Sequence, residues 1–404
     1  MKNTIACLSL FLCTSLYSQT NDRANIIKAG FDFAAEQLTL AMQETERVKE
    51  KTAPERKNKY PLVAPRTTNP NGNLHLVTSD DWTSGFFAGE LWLMYEYTQD
   101  PKWEKAARLY TAPLEREKFT RNTHDMGFKM YCSFGNGYRL TKDENYKNIL
   151  LQSAYTLITR YNPKVKAIRS WDFNREQWQY PVIIDNMMNL ELLFWAFKES
   201  RDSTFFHVAV NHANTTLKNH FRKDNSSYHV VSYDTITGQV EKKNTHQGYA
   251  DESAWARGQA WGAYGFTMCY RETRNPDYLQ QAANIVNFIF TNPNLPEDLI
   301  PYWDYNAPGI PFEPRDVSAA ACLSSALYEL SLYDETKAAQ YKKWADTIVE
   351  NLTKNYRATL GQDRGFLLLH SVGAKPSNSE VDVPLVYADY YYLEALLRKQ
   401  QYPY

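Results

Sequence analysis

Hydrophobic side chains recur along most of this chain with the spacing of α-helices, and few segments show the strict alternation of a half-buried strand. The pattern predicts about a dozen helices. They centre near residues 36, 91, 110, 132, 151, 192, 212, 263, 283, 324, 345 and 391. We therefore expect an all-α protein.

The predicted helices alternate between two kinds. One kind carries charges around one face, as a helix with one side in water does, and includes Tyr146–Arg160, Phe205–Phe221 and Thr336–Leu352. The other kind is apolar nearly all round, which predicts burial on every side. Its members are Phe86–Tyr97, Gly127–Tyr138, Met187–Phe197, Trp255–Tyr270, Val317–Leu330 and Pro384–Leu397. Six outer and six inner helices in alternation predict an (α/α)6 barrel of six helical hairpins.

The first residues have the pattern of an export signal. Lys2 precedes an apolar run from Ile5 to Leu16, which is too short to span a bilayer, and a small-residue cleavage site follows at Ser18. We expect residues 1–18 to be a signal peptide and 19–404 to form a single catalytic domain, because no Pro-, Gly- or Ser-rich linker divides the rest. A soluble periplasmic protein is favoured over a lipid anchor at Cys13, because that lipidation box is poor.

Composition narrows the function classes. The net charge of −1 does not suggest the broad basic surface that nucleic acid or an anionic membrane requires. Cys132, Cys269 and Cys322 have no C-x-x-C spacing and are expected to be buried free thiols. The sequence also lacks the motifs of metal sites, dinucleotide-binding sites and serine hydrolases, so neither a metal nor a cofactor is predicted. Aromatic residues make up 14% of the chain, more than average, and we expect most in the core and the others against sugar rings.

An aspartate stands at or just before the predicted start of each inner helix, so all six would lie at one end of the barrel. Aspartate is a favoured N-cap, worth about 0.5–2 kcal/mol. We therefore expect most of the six to be caps or hydrogen-bond anchors, and the catalytic ones to be distinguished by their neighbours. The six are Asp81, Asp125, Asp185, Asp251, Asp316 and Asp382.

Two of these aspartates are candidates for acid and base. Asp185 lies between Ile184 and Met187, where desolvation would raise the pKa of its carboxyl group, as a general acid requires. Asp125 lies beside Gly127, which permits close backbone approach. Two carboxyl groups in different surroundings can keep one protonated and one ionised. On spacing alone, a catalytic pair and a pair of helix caps fit equally well.

The segment from Thr245 to Trp261 has the densest polar and aromatic content in the chain. Arg257 lies there among indole rings, where a guanidinium is expensive to desolvate unless it meets an anion. A substrate carboxylate would satisfy it. An ion pair with Asp251 or Glu252 would do so equally well.

These motifs together resemble the unsaturated glucuronyl hydrolases of glycoside hydrolase family 88. The most specific are the run from Ile183 to Asn189 and the run from Thr245 to Trp261, with Asp81-Trp82, His124-Asp125 and the run from Val381 to Pro384 in support. The resemblance covers nearly the whole mature chain. It implies an (α/α)6 barrel, no cofactor, and hydration of the C4=C5 vinyl ether of a terminal unsaturated uronate.

The resemblance also implies roles for individual residues. Asp185 would be the general acid and base, and Asp125 its partner that holds the sugar hydroxyls. Arg257 would hold the uronate carboxylate, while tryptophan faces pin the ring. The remaining expected substrate-binding residues are His124, His229, Gln247, Trp255, Trp261, Trp82 and Trp171.

The loop from Leu369 to Pro376 precedes the last inner helix and is expected at the same barrel end. Ser371 and Lys375 offer a hydroxyl and a cation for the following sugar, sulfated or not; a solvated surface loop is the alternative for Lys375. Three other functions remain open at this point: an unsaturated galacturonyl-rhamnose hydrolase, a lyase, and a non-catalytic glycan-binding protein. The pattern leaves the parent polysaccharide and the oligomeric state open.

Overall fold

The computed structural model describes the backbone of residues 3–52 and 60–402, and the side chains of residues 25–52 and 60–402. The predicted signal peptide lies outside the residues whose side chains are described. The described part is mostly helical, with twelve α-helices. These are α1 Asn3–Thr52, α2 Phe86–Thr98, α3 Pro101–Thr111, α4 Asn136–Thr141, α5 Glu144–Ile158, α6 Asn186–Ser200, α7 Ser203–Asn219, α8 Ala256–Thr273, α9 Pro276–Thr291, α10 Val317–Leu330, α11 Ala338–Asn355 and α12 Val386–Gln401.

The predicted helix Gly127–Tyr138 is not a single regular helix. It forms a π-helix over Gly127–Gly135, which continues into α4. A Cβ atom added at Gly85, just before α2, would lie 2.3 Å from the carbonyl oxygens of Phe128 and Lys129, so this helix packs directly on the start of α2. π-Helical turns inside α-helices often occur at functional sites.

The predicted division into inner and outer helices is confirmed by burial. Every residue of α10 is buried, and so are the first fourteen residues of α8. Helices α5, α7 and α11 each bury only one face. Inner helices also pack on one another: α2 on the π-helix and α12, α6 on the π-helix and α8, and α10 on α8 and α12.

The connections differ in length according to their direction. Those that lead from an inner helix to the next outer one are short in four of five cases. There the helix ends on a left-handed residue, and the next residue is an Asp or Asn whose side chain caps the following helix. The four pairs are Gln99-Asp100, Lys142-Asp143, Arg201-Asp202 and Arg274-Asn275.

Connections from an outer helix into the next inner helix are longer and carry the β structure. The described residues include nine short strands in four small antiparallel sheets, which the hydrophobic pattern did not predict. The strands are β1 Leu62–Thr68, β2 Leu74–Thr78, β3 Tyr161–Asn162, β4 Ala167–Ile168, β5 Pro181–Ile183, β6 Val230–Tyr233, β7 Val240–Asn244, β8 Ser371–Ala374 and β9 Ser379–Val383. They therefore surround the end where inner helices begin.

Two further observations bear on the sequence predictions. Cys132, Cys269 and Cys322 are buried free thiols, which confirms the prediction made for them. Among the helices in the described part of the chain, none combines the length and hydropathy that a bilayer span requires.

Candidate functional site

Asp185 lies where β5 runs into α6. Its backbone is already helical, and its side chain makes no capping hydrogen bond with α6. The carboxyl group is buried, and Oδ2 has no hydrogen-bond partner. Burial raises the pKa of this group to about 6, against the opposing positive charge of Arg257. The structure thus supplies the desolvated carboxyl group that the sequence predicted.

Asp125 lies at the start of the π-helix in a more polar setting. Its Oδ1 lies 3.1 Å from His124 Nε2, and the hydroxyl of Thr123 donates to Oδ2. Burial alone would raise the pKa of Asp125, but His124, Thr123 and the charge of Lys129 together hold it below its ordinary value. The Asp125 charge in turn helps to raise the pKa of Asp185, so the two carboxyl groups share one electrostatic environment.

His229 lies at the end of the loop that leads into β6, with its ring facing Asp185. The backbone N–H groups of His246 and Gln247 donate to His229 Nδ1 at 3.0 and 3.1 Å. An acceptor nitrogen carries no proton, so the neutral ring bears its proton on Nε2. Burial, together with the charges of neighbouring histidines and Arg257, lowers the pKa of His229 well below 6.5, so the ring stays neutral. Its Nε2–H is buried without a partner.

Four aromatic rings lie between the inner helices and form what we call the floor of the site: Phe128, Trp261, Trp82 and Tyr387. The Phe128 ring centroid lies 5.3 Å from that of Trp261 and 5.5 Å from that of Trp82, which in turn lies 4.9 Å from Tyr387. The Trp261 indole N–H and the Tyr387 hydroxyl are buried without partners. Flat faces with spare donors suit a sugar ring.

A second set of rings extends from His229 toward the surface. Trp255 lies 4.6 Å from the His229 ring, on the side that leads into α8. Trp171 lies 6.4 Å from His229 and stacks at 4.8 Å on Phe173, which is half exposed. His246 lies 5.6 Å from Trp171. The rings form an aromatic wall from Asp185 outward.

Arg257 is buried, and its guanidinium is held by protein groups. Nη1 donates to Asp316 Oδ2 at 2.8 Å and to the Val372 carbonyl at 2.5 Å, and Nη2 donates to the Gly373 carbonyl at 2.6 Å. The alternative partners Asp251 and Glu252 are therefore wrong, because Asp316, far along the chain, forms the ion pair. Arg257 also stacks between the rings of Trp255 and Tyr387, at 4.5 and 5.3 Å. It ties α8 to α10 and β8.

The loop predicted to hold the following sugar forms the β8–β9 hairpin. Gln247 Nε2 donates to the Gly373 carbonyl at 3.1 Å, so Gln247 and Arg257 anchor the same peptide. Ser371 is buried, with its hydroxyl unpartnered. Lys375 Nζ lies 2.5 Å from Glu313 Oε2 in an ion pair. Its charge is thus already balanced.

The other aspartates at the inner-helix starts make structural contacts. Asp316 caps α10 through the Ser318 N–H, and Asp81 accepts from Thr83 and Arg66. Asp251 accepts from the Thr245 N–H. Asp382 is exposed and lies 2.6 Å from His370. The expectation that most of the six are anchors is confirmed, and Asp185 is the one with a buried, unpartnered oxygen.

The sequence prediction missed several residues of this site. Phe128 and Tyr387 contribute to the floor, and His246, Trp178 and Phe173 belong to the wall. The pattern offered one usable signal, because Tyr387 and Phe128 each lie in the first turns of an inner helix, at the same end as the aspartates.

Comparisons with known proteins identify the family to which the chain belongs. The model of the family described as Glycosyl Hydrolase Family 88 matches residues 48–272. An unsaturated glucuronyl hydrolase of Formosa agariphila is 53% identical over 331 residues, which are 81% of this chain and 82% of that protein.

Two solved structures extend the comparison. One, an unsaturated glucuronyl hydrolase specific for heparin, has 46% identity and a TM-score of 0.87, and the match covers 93% of this chain and 97% of that one. The other is a mutant unsaturated glucuronyl hydrolase of Streptococcus agalactiae complexed with dGlcA-GalNAc6S, at 30% identity and a TM-score of 0.72, covering 92% and 90%. The chain belongs to glycosyl hydrolase family 88.

Proposed function

We propose that this enzyme removes the terminal 4,5-unsaturated glucuronic acid from oligosaccharides released by polysaccharide lyases. Relatives with this activity match most of the chain. The observation that carries the proposal is the different surroundings of two carboxyl groups: Asp185 is buried with an unpartnered oxygen, whereas Asp125 contacts Thr123 and His124. Accordingly the pKa of Asp185 is raised to about 6, while that of Asp125 is lowered. Such a pair keeps one acid protonated and the other ionised.

The chemistry follows from these two states. Asp185 donates its proton to C4 of the vinyl ether, and water adds to C5 while its own proton passes to the Asp185 carboxylate. The product is a hemiketal at C5 that opens and releases the remaining sugar, so Asp185 ends protonated as it began. Asp125, ionised and oriented by Thr123 and His124, accepts hydrogen bonds from the sugar hydroxyls. His229 offers its Nε2–H beside Asp185.

The test is the loss of the ultraviolet absorbance of the unsaturated bond. A panel should hold unsaturated disaccharides of the heparin, chondroitin, hyaluronan and ulvan types, with an unsaturated galacturonyl-rhamnose beside them. Turnover of at least one glucuronyl substrate, and slower turnover of the galacturonyl one, is expected. Binding without any loss of absorbance would favour a glycan-binding protein, and turnover of the galacturonyl substrate alone would favour the other hydrolase.

We also propose that the six helical hairpins close into an (α/α)6 barrel within a single domain of residues 19–404. Support comes from the packing of the inner helices, because each of the six contacts two others and the series returns from α12 to α2. Asp125, Asp185 and His229 lie in connections that lead into inner helices or strands before them, and Arg257 lies in the first turn of α8, which supports a common position at one end of the proposed barrel.

Export to the periplasm is the proposed location. The support is the pattern of residues 1–18, with Lys2 before an apolar run and a small residue at the expected cleavage point. The N-terminal sequence of the protein recovered from the producing cells tests this. A mature chain that begins near Gln19 is expected, and a retained Met1 or a lipid-modified Cys13 would contradict it.

A further inference from the structure

Three arginines surround one carboxylate beside the aromatic wall. Arg160 pairs with Asp172 through two contacts, at 2.9 Å to Oδ2 and 3.2 Å to Oδ1. The Nε of Arg160 donates to the carbonyl of Arg169, and its Nη1 donates to the carbonyl of Arg121. Arg160 and Asp172 thus satisfy each other and form a structural pair. Both oxygens of Asp172 already accept hydrogen bonds from Arg160, so they have little capacity left for the other two guanidinium groups.

Arg169 and Arg175 keep spare donors. Arg169 Nε lies 3.3 Å from Asp172 Oδ1 but is not aligned for a hydrogen bond, and it is buried without a partner. Arg175 Nη2 lies 3.9 Å from the same oxygen, and its side chain is 67% exposed. Burial lowers the pKa of Arg169, and the neighbouring Arg175 and Arg160 lower it further against the charge of Asp172. Asp172 supplies one negative charge to three guanidinium groups, so this cluster of four side chains keeps a net positive charge.

The cluster adjoins the catalytic side of the site. Asp172 lies between Trp171 and Phe173, whose rings stack on each other in the aromatic wall. The backbone of Trp171 pairs with that of Thr123, two residues before Asp125. The carbonyl of Arg121, which Arg160 holds, begins the same loop. A sugar stacked on the half-exposed Phe173 would therefore lie beside these guanidinium groups.

We propose that Arg169 and Arg175 form a binding site for an oxyanion carried by a sugar beyond the terminal uronate. The guanidinium fork matches a sulfate or carboxylate group with two donors, and Phe173 provides the face for the sugar. The site rests on the proposed function for its substrate. It is separate from the β8–β9 hairpin, where Lys375 is already neutralised by Glu313.

The kinetic test compares sulfated with unsulfated disaccharides and with an unsulfated tetrasaccharide that carries a second uronate. In Arg175→Gln, an exposed change that leaves the fold intact, and in Arg169→Gln, KM for the substrate whose anion reaches the site should rise about tenfold. The kcat and the KM for the unsulfated disaccharide should stay unchanged. A rise with the sulfated disaccharide assigns the site to sulfate, and a rise with the tetrasaccharide assigns it to the distal carboxylate.

The control is Lys375→Gln, at the paired lysine of the hairpin. If this variant alone loses the preference for the anionic substrates, the proposal is wrong and the hairpin holds the anion. Equal KM changes on all substrates in Arg169→Gln and Arg175→Gln would also overturn it, because they indicate a structural role.

A second measurement does not depend on turnover. Sodium sulfate should raise the melting temperature of the wild-type protein more than sodium chloride of equal ionic strength, because a bound anion stabilises the folded state. This difference should shrink in Arg169→Gln and Arg175→Gln but not in Lys375→Gln, because the general stabilisation by sulfate is common to all variants and only the contribution of the bound anion is lost. If the protein turns over no unsaturated substrate, the proposed function fails, yet this difference still reports on the anion site. A sulfate effect that is the same in all variants would overturn the site alone.

Discussion

His229 Nε2 lies 3.8 Å from Asp185 Oδ2, and neither atom has a hydrogen-bond partner. The separation exceeds a hydrogen bond, so both groups are available to a third. Two backbone N–H groups donate to Nδ1 of His229, so the ring proton lies on Nε2 and His229 is a hydrogen-bond donor there. The protonated carboxyl group of Asp185 is a donor as well. A sugar oxygen or a water between them would accept from His229 while Asp185 keeps its proton for carbon.

The pH dependence of kcat/KM should show this division of roles. Asp185 must be protonated to act as an acid, so the rate should fall about tenfold per pH unit above the pKa of about 6. His229, whose pKa is well below 6.5, stays neutral across this range. Rates from pH 4 to 9 provide the check. In His229→Ala the rate should be lower overall, but its fall above pH 6 should remain. If this fall disappears in the variant, it arises from the ionisation of His229 and not from that of Asp185.

Asp185→Asn should abolish turnover and still raise stability. The amide keeps the shape of the carboxyl group but delivers no proton, and general acid catalysis is worth about 10²–10⁴ in rate. The folded-state pKa of about 6 lies above the unfolded value, so ionisation costs stability as the pH rises through this window. The variant should gain up to about 3 kcal/mol at pH 7 and nothing near pH 4.

Asp125→Asn is the matched control for that experiment. Its activity should also fall severely, because the ionised carboxylate that holds the sugar hydroxyls is lost. The pKa of Asp125 is lowered, so the stability change should have the opposite sign at neutral pH. Absorbance assays and urea unfolding at pH 4 and pH 7 measure both effects. A fully inactive Asp125→Asn beside a partly active Asp185→Asn would reverse the two roles.

Much of this architecture was predictable because its signals are local. The alternation of charged and uncharged helices predicted which would be buried, and the apolar neighbours Ile184 and Met187 predicted the raised pKa of Asp185. The short strands escaped prediction, since segments such as Tyr161–Asn162 are too brief to show a period. The partner of Arg257 also escaped it, because Asp316 meets Arg257 only once α8 and α10 have packed.

Asp316→Asn should reveal how Arg257 acts. Removing the charge leaves the buried guanidinium of Arg257 unpaired, which should cost about 3–5 kcal/mol of stability and loosen the hairpin that it holds. Urea unfolding and limited proteolysis at the hairpin measure these effects. If Arg257 serves only the substrate, Asp316→Asn would leave the unfolding free energy unchanged.

A modified substrate tests whether Arg257 also contacts the uronate carboxylate. Arg257→Lys keeps the charge but cannot span Asp316 and two carbonyl oxygens, so activity should fall. A direct contact would make the loss larger for the free acid than for its methyl ester. A loss of the same size with both would restrict Arg257 to positioning the β8–β9 hairpin and stabilising the ionised form of Asp185.

The last prediction concerns two buried acids away from the catalytic end. Glu90 on α2 and Asp389 on α12 are buried, and Glu90 Oε1 has no partner, whereas Asp389 accepts from the N–H groups of Leu367 and Leu368. Burial raises the pKa of both carboxyl groups well above their ordinary values, and any charge on Asp389 raises that of Glu90 further, so the pair holds a proton in the folded protein. The folded state therefore binds a proton that the unfolded chain has already released, and stability falls as the pH rises above about 4.3.

Glu90→Gln cannot ionise, so its unfolding free energy relative to wild type should climb with pH, by up to about 1.4 kcal/mol per pH unit. Urea unfolding at pH 5, 6, 7 and 8 measures this slope, and Glu350→Gln, the same substitution at an exposed glutamate, is the matched control. A difference between Glu90→Gln and wild type that stays constant over this range would show that Glu90 ionises normally in the folded protein.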